Sequence, residues 1–150
     1  ERLPVFTVGD LTFGIAICND SNYLEPARVM AAQGAVALFV PTNNGLPHGA
    51  AQPSLAEEAR HVDIARAIDN TVAVIRADVT GRTADLACFG ASAIVDRDGF
   101  VLASAAPHEA GLVVAEIPTA PPARRRGWDA VRNPAVASAY ARLVAEAGPA

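Results

Sequence analysis

The chain has 150 residues, 51% of them hydrophobic, which is ample for one core and makes a single domain the default. Its formal net charge of −4 argues against binding nucleic acid by bulk charge. No apolar run approaches the roughly 18 residues needed to span a bilayer. The opening Glu1-Arg2-Leu3-Pro4 does not read as a secretory leader, and two cysteines make no disulfide framework, so a cytoplasmic setting is expected.

The first predicted element is a hairpin, with strands over residues 5–8 and 11–18 joined by the turn pair Gly9-Asp10. A helix is expected over residues 24–33: Asn22 and Glu25 have capping-box spacing, Pro26 falls in the first turn and Gly34 can end it. A short buried strand follows over 36–40, then a Pro/Asn/Gly-rich loop over 41–54. A second helix is predicted over 55–69, with Leu55, Ala59, Val62, Ala65 and Ile68 on its inner face. A β-branched strand over 71–77 leads into a polar loop over 78–86. A hairpin over 91–104 turns at Asp98-Gly99, a further strand covers 111–117, and an extended Pro/Arg segment over 118–133 precedes a last helix over 135–147.

This order implies an α/β domain, a mixed sheet with helices on one face. The other face then needs cover from a partner or from a further half of the same fold. The chain opens without Met and almost inside a strand, so it reads as a piece of something longer.

Cys18 stands out. An apolar run, Phe13-Gly14-Ile15-Ala16-Ile17, ends in its thiol, and the polar Asn19-Asp20 follows. A thiol at a sheet edge with a helix N-terminus nearby suits a nucleophile, because the helix end favours the thiolate. A packed structural cysteine is the competing reading, since free Cys is among the most buried residue types. Cys88, beside Phe89 in an apolar stretch, is expected to pack. His48, His61 and His108 are scattered, and with two separated cysteines they give no metal-ligand spacing, so no metal or other cofactor is expected. Ser92 lacks the G-x-S-x-G elbow of serine hydrolases. The run Arg124-Arg125-Arg126 has no interleaved aromatic platform for nucleic acid and reads as a solvated or subunit-facing tail.

Four motifs in order carry a resemblance. The first runs from Gly14-Ile15-Ala16-Ile17-Cys18-Asn19-Asp20 through Glu25-Pro26-Ala27-Arg28 and Gln33-Gly34-Ala35 to Leu38-Phe39-Val40-Pro41. The others are Arg66-Ala67-Ile68-Asp69-Asn70, then Gly90-Ala91-Ser92 with its hairpin, then Ala115-Glu116-Ile117. Together they resemble the nitrilase superfamily of carbon–nitrogen hydrolases over residues 5–117. The resemblance implies the C-terminal half of an αββα sandwich over residues 1–117, with residues 118–150 as an arm and helix packing on a partner subunit. A homodimer or higher homo-oligomer is implied as well.

The family hydrolyses nitriles, amides or carbamoyl groups with Cys, Lys and Glu. Cys18 matches the nucleophile, and the backbone N–H of Asn19 matches an oxyanion donor. Asp20, Glu25 and Arg28 match supporting positions, the competing readings being a plain turn residue for Asp20 and an exposed helix pair for Glu25 and Arg28. Asn43 and Asn44 lie just after a strand's C-terminal end, where substrate contacts gather, and loop polarity alone explains them almost as well. All 12 basic Lys+Arg residues are arginine, so the catalytic Lys is absent from this chain; the family's Glu has no counterpart here either. The isolated chain is therefore expected to be inactive. Cys18-Asn19-Asp20 also lacks the Cys-Trp-Glu run of nitrile-cleaving members, which favours amide or carbamoyl substrates. The alternatives are a non-catalytic domain that completes a partner, and another cysteine hydrolase with a strand–nucleophile–helix elbow.

Overall fold

The computed structural model describes residues 3–48, 50, 55–123 and 133–147. In chain order these form β1 (Val5–Val8), β2 (Leu11–Ile15), a 3₁₀ turn (Cys18–Asn22), α1 (Leu24–Ala32), β3 (Ala37–Thr42) and β4 (Gly45–Pro47). Then come α2 (Leu55–Asn70), β5 (Ala73–Asp78), β6 (Thr80–Arg82), β7 (Leu86–Phe89), β8 (Ala93–Val95), β9 (Val101–Ser104) and α3 (Pro134–Ala147).

Six strands build the main sheet in the order β1-β2-β3-β5-β8-β9. Its centre, β2-β3-β5, is parallel, and α1 and α2 are the crossovers that parallel pairing requires. Hairpins add antiparallel strands at both edges. A small second sheet, β4-β7-β6, sits beyond the ends of β3 and β5. The domain is thus α/β with a mixed sheet, as expected.

Period-2 alternation sorts the strands into two faces. Leu38, Val40, Val74 and Val95 point toward the helices and are buried with Met30, Ala27, Ala31 and Ala67. Each such Leu or Val contributes roughly 1.5–3 kcal/mol by leaving water. Gly14 permits the close approach of α1: a Cβ there would lie 3.1 Å from Leu38 Cδ2 and press into Met30. On the opposite face Phe6, Phe13 and Phe39 form an aromatic row, with centroids 5.6 and 5.1 Å apart. Beside it runs a cross-strand line of Ile15, Phe39, Ile75 and Ile94.

Several expectations need correction. β2 stops at Ile15, not at residue 18: Ala16 N–H still reaches Phe39 O at 2.9 Å, and the chain then leaves the ladder. Cys18 has φ +47°, which no strand accommodates. The capping box fails too. The N-cap of α1 is Tyr23, without a side-chain cap, while Asn22 Nδ2 donates to Asn19 Oδ1 at 3.1 Å. Gly34, at φ +106°, does end α1, with Ala35 N–H closing back on Met30 O.

The inner stripe of α2 is Ala59, Asp63, Ala67 and Asn70, rotated from the apolar stripe and including a carboxylate. The predicted loops over 41–54 and 78–86 contain β4 and β6, although residues 49 and 51–54 lie outside the described ones. Residues 111–117 form no strand: their exposure alternates from Leu112 onward, but no ladder is present. Of the Pro/Arg segment, residues 124–132, including the three arginines in a row, are outside the described set.

Candidate active site

The Cys18 turn begins where β2 runs out between α1 and the neighbouring strand β3. Cys18 is the first residue of the 3₁₀ turn and is partly exposed. Its left-handed backbone is uncommon for a residue with a Cβ. The turn is held from several directions. The Asp20 carboxylate accepts the Ile17 N–H at 3.1 Å, and the Ser21 hydroxyl donates to the Cys18 carbonyl at 2.8 Å. Arg66, from α2, closes the far end: Nε donates to Ser21 O at 3.1 Å and Nη2 to Asn22 O at 2.8 Å. The first N–H groups of such a turn have no acceptor within it, and the Asn19 N–H is one of them.

Beneath the turn lies a buried ion pair. Arg76, on β5, is 4% exposed, and Asp63, on α2, is 1% exposed. Their contact is bidentate, with Nε to Oδ2 at 2.7 Å and Nη2 to Oδ1 at 2.6 Å. Two further Arg76 donors reach Thr42 Oγ1 at 2.8 Å and Ser21 Oγ at 3.1 Å. Arg60 flanks the pair, and its Nη1 is buried without a hydrogen-bond partner among the described residues. Burial holds the Arg60 guanidinium below the ordinary arginine value; the Asp63 charge pulls it up and Arg76 pushes it down.

Cys18 opens onto a cavity of about 390 Å³. Asn19, Asn22 and Asn44 line it as amides, Glu58 and Arg76 as charged groups, and Leu55, Ala59 and Val62 as its apolar wall. Its volume and mixed lining are those of a small-molecule site. Asn44 is fixed from behind: Asp78 Oδ1 accepts its N–H at 2.9 Å and Oδ2 accepts the Ala91 N–H at 3.1 Å. Ser92 also serves this corner, since its hydroxyl accepts the Asp78 N–H at 2.9 Å.

Of the residues singled out from sequence, Cys18, Asn19 and Asn44 meet at this cavity, and Asp20 braces the turn. Asn43 does not line it; its Oδ1 accepts from Cys88 Sγ at 3.3 Å. Glu25 faces α3, where its carboxylate accepts the Tyr140 hydroxyl at 3.1 Å. Arg28 ties α1 to the end of α2 through Asp69 O at 3.2 Å, a cation where the helix dipole favours one. Cys88 is buried. Among the described residues no group of three or more His, Cys, Asp or Glu could hold a metal.

The sequence reading missed Arg76, Asp63, Glu58 and Asp78. An apolar-period count skips charged residues, and nothing local signals that residues 63 and 76 pair across two elements.

Comparisons with known proteins bear on the fold and the family. A family model described as carbon-nitrogen hydrolase matches residues 1–124. A nitrilase from Pyrococcus abyssi is 33% identical over 75% of this chain and 39% of its own length. An N-carbamoylputrescine amidase from Solanum tuberosum is 28% identical over 86% of the chain and 46% of its own length. The chain therefore spans less than half the length of these relatives. Among solved structures, an amidase from Nesterenkonia sp. AN1 superposes with TM-score 0.66 at 28% identity, covering 77% of this chain and 42% of that one. A carbon-nitrogen hydrolase from Helicobacter pylori G27, at 24% identity and TM-score 0.67, shares the fold over 74% of this chain and 41% of its own. The sheet, the order of the motifs and these matches together assign the chain to the carbon-nitrogen hydrolase family, within the nitrilase superfamily.

Proposed function

We propose that this chain supplies the nucleophile and part of the substrate pocket of an enzyme that hydrolyses a small amide or N-carbamoyl compound. The observation that carries this is Cys18 at φ +47° on the rim of a cavity lined by Asn19, Asn22 and Asn44. The Cys18 thiolate attacks the carbonyl carbon, and the carbonyl oxygen becomes an oxyanion that needs preorganised donors. The Asn19 N–H is one such donor. The nitrogen leaves as ammonia or an amine carrying the thiol's proton, and water then hydrolyses the thioester or, from a carbamoyl compound, the thiocarbamate. The ammonium donor of that chemistry is not among these residues, since the chain holds no lysine.

Support comes from a variant of the Nesterenkonia amidase, 27% identical, in which the acetamide moiety of fluoroacetamide is attached to the active-site cysteine. A homo-oligomer and a cytoplasmic setting belong to the same reading, supported by the half-exposed aromatic face and by two free thiols. A second reading, a non-catalytic domain that completes a partner, is favoured by the missing lysine.

The test is turnover of acetamide, butyramide, N-carbamoylputrescine and a simple nitrile by the intact protein and by the 150-residue chain alone. The intact protein should cleave an amide or carbamoyl compound, Cys18→Ala should abolish this, and the chain alone should be inactive. Brief iodoacetamide treatment should label Cys18 before Cys88. Undiminished turnover in Cys18→Ala would sink the nucleophile assignment, and an inert intact protein would favour the second reading.

A further inference from the structure

A continuous line of polar contacts leads from the core to the backbone of the proposed nucleophile. The Asp63 carboxylate grips Arg76, Arg76 Nη2 donates to Ser21 Oγ at 3.1 Å, and that hydroxyl donates to the Cys18 carbonyl at 2.8 Å. We propose that Arg76 is a positioning residue for catalysis, acting through Ser21 to aim the Asn19 N–H; this rests on the reading of Cys18 as the nucleophile.

The argument starts from the peptide plane. The Cys18 carbonyl and the Asn19 N–H belong to one trans peptide and point in opposite directions. Pinning the oxygen from behind therefore fixes the direction of the N–H on the other side. The 3₁₀ turn orients the same carbonyl, and the hydroxyl adds a second restraint on the plane from the side of the core. The left-handed Cys18 backbone needs such over-determination to persist.

Arg76 suits the task because its guanidinium is a rigid fork of five donors. Two groups of that fork are spent on Asp63 and one on Thr42, so the bond to Ser21 leaves from a fixed origin on a central strand. Lys, with one mobile ammonium, cannot make this set. Stability alone is a poor reason for the pair. A buried ion pair replaced by apolar residues of similar volume often leaves a protein equally stable. Its cost is understandable if one of its donors sets the geometry of the turn above.

The test uses the intact protein and the amide of the panel it cleaves best. Variants are Ser21→Ala, Arg76→Lys, and the double replacement Arg76→Met with Asp63→Leu. Readouts are kcat and KM separately, thermal melting, and the iodoacetamide labelling rate of Cys18. Ser21→Ala should lower kcat about 10- to 100-fold, the scale of a small misplacement at a reacting centre, with KM and labelling nearly unchanged. The double variant should melt close to wild type yet show the same loss of kcat, and Arg76→Lys should not rescue it. A purely structural role predicts the reverse, with kcat recovering wherever melting recovers; that result overturns the proposal. Full turnover in Ser21→Ala, alongside an inert Cys18→Ala, overturns it alone. Turnover that survives Cys18→Ala, or an intact protein inert on every compound, overturns the nucleophile reading and this proposal with it.

Discussion

The two faces of the main sheet are made by the same strands and serve different ends. On β5, Val74 and Arg76 point toward the helices while Ile75 points away. The helix side is buried, and a guanidinium and a carboxylate are held there in bidentate contact. The other side is larger and softer: Phe6 is 43% exposed and Ile15 40%. Precise hydrogen-bond geometry needs a low-dielectric site with fixed partners, which only the covered face provides. The open face offers area, and area suits association.

The contrast can be broken most forcefully at Arg76. Arg76→Met alone should cost roughly 3–5 kcal/mol, because it strands the Asp63 charge in the core; urea denaturation measures it. A loss under about 1 kcal/mol would mean that water reaches Asp63. Next in size is Leu38→Ala, also on the covered face, which should cost about 3 kcal/mol through lost transfer energy and a residual cavity. On the open face Phe6→Ser should cost no more than about 1 kcal/mol of unfolding free energy, while reducing the mass seen by light scattering. A large destabilisation without any change in mass would show that this face is core rather than interface.

The smallest effect concerns α3, where the Tyr140 hydroxyl meets Glu25 in the first turn of α1. The hydrogen bond to Glu25 raises the Tyr140 pKa above the ordinary tyrosine value, with lesser help from burial and the Glu25 charge. A raised pKa means that this contact is fully present below the ordinary value and is lost as pH rises through the raised one. Phenolate absorbance should show one late-titrating tyrosine that disappears in Tyr140→Phe. Titration at the free-tyrosine value would detach α3 from the covered side.

Much of this was legible from sequence where the signal is local. Gly9-Asp10 and Asp98-Gly99 marked their hairpins, and Gly34 marked the end of α1. Cys18 was visible as a thiol closing an apolar run, but Ile15-Ala16-Ile17 carried the strand reading past its true end. Hydropathy does not report the point at which a ladder loses its partner. Residues 111–117 failed for a related reason: alternation records one side facing protein, not a neighbouring strand. The Asp63–Arg76 pair was illegible in principle. Its members are 13 positions apart, on a helix and a strand, and each alone reads as a surface charge.

The handedness of the backbone at Cys18 also bears on how this site can drift over evolutionary time. A left-handed residue with φ +47° tolerates unbranched side chains far better than branched ones. Cysteine can be exchanged there for serine with the chain path intact, so a hydroxyl at this position is one substitution away in conformational terms. Threonine carries a methyl on its Cβ and would force the turn to open, although its hydroxyl offers the same chemistry. The turn thus acts as a filter on which thiol or hydroxyl side chains selection can try at this position, independently of their reactivity.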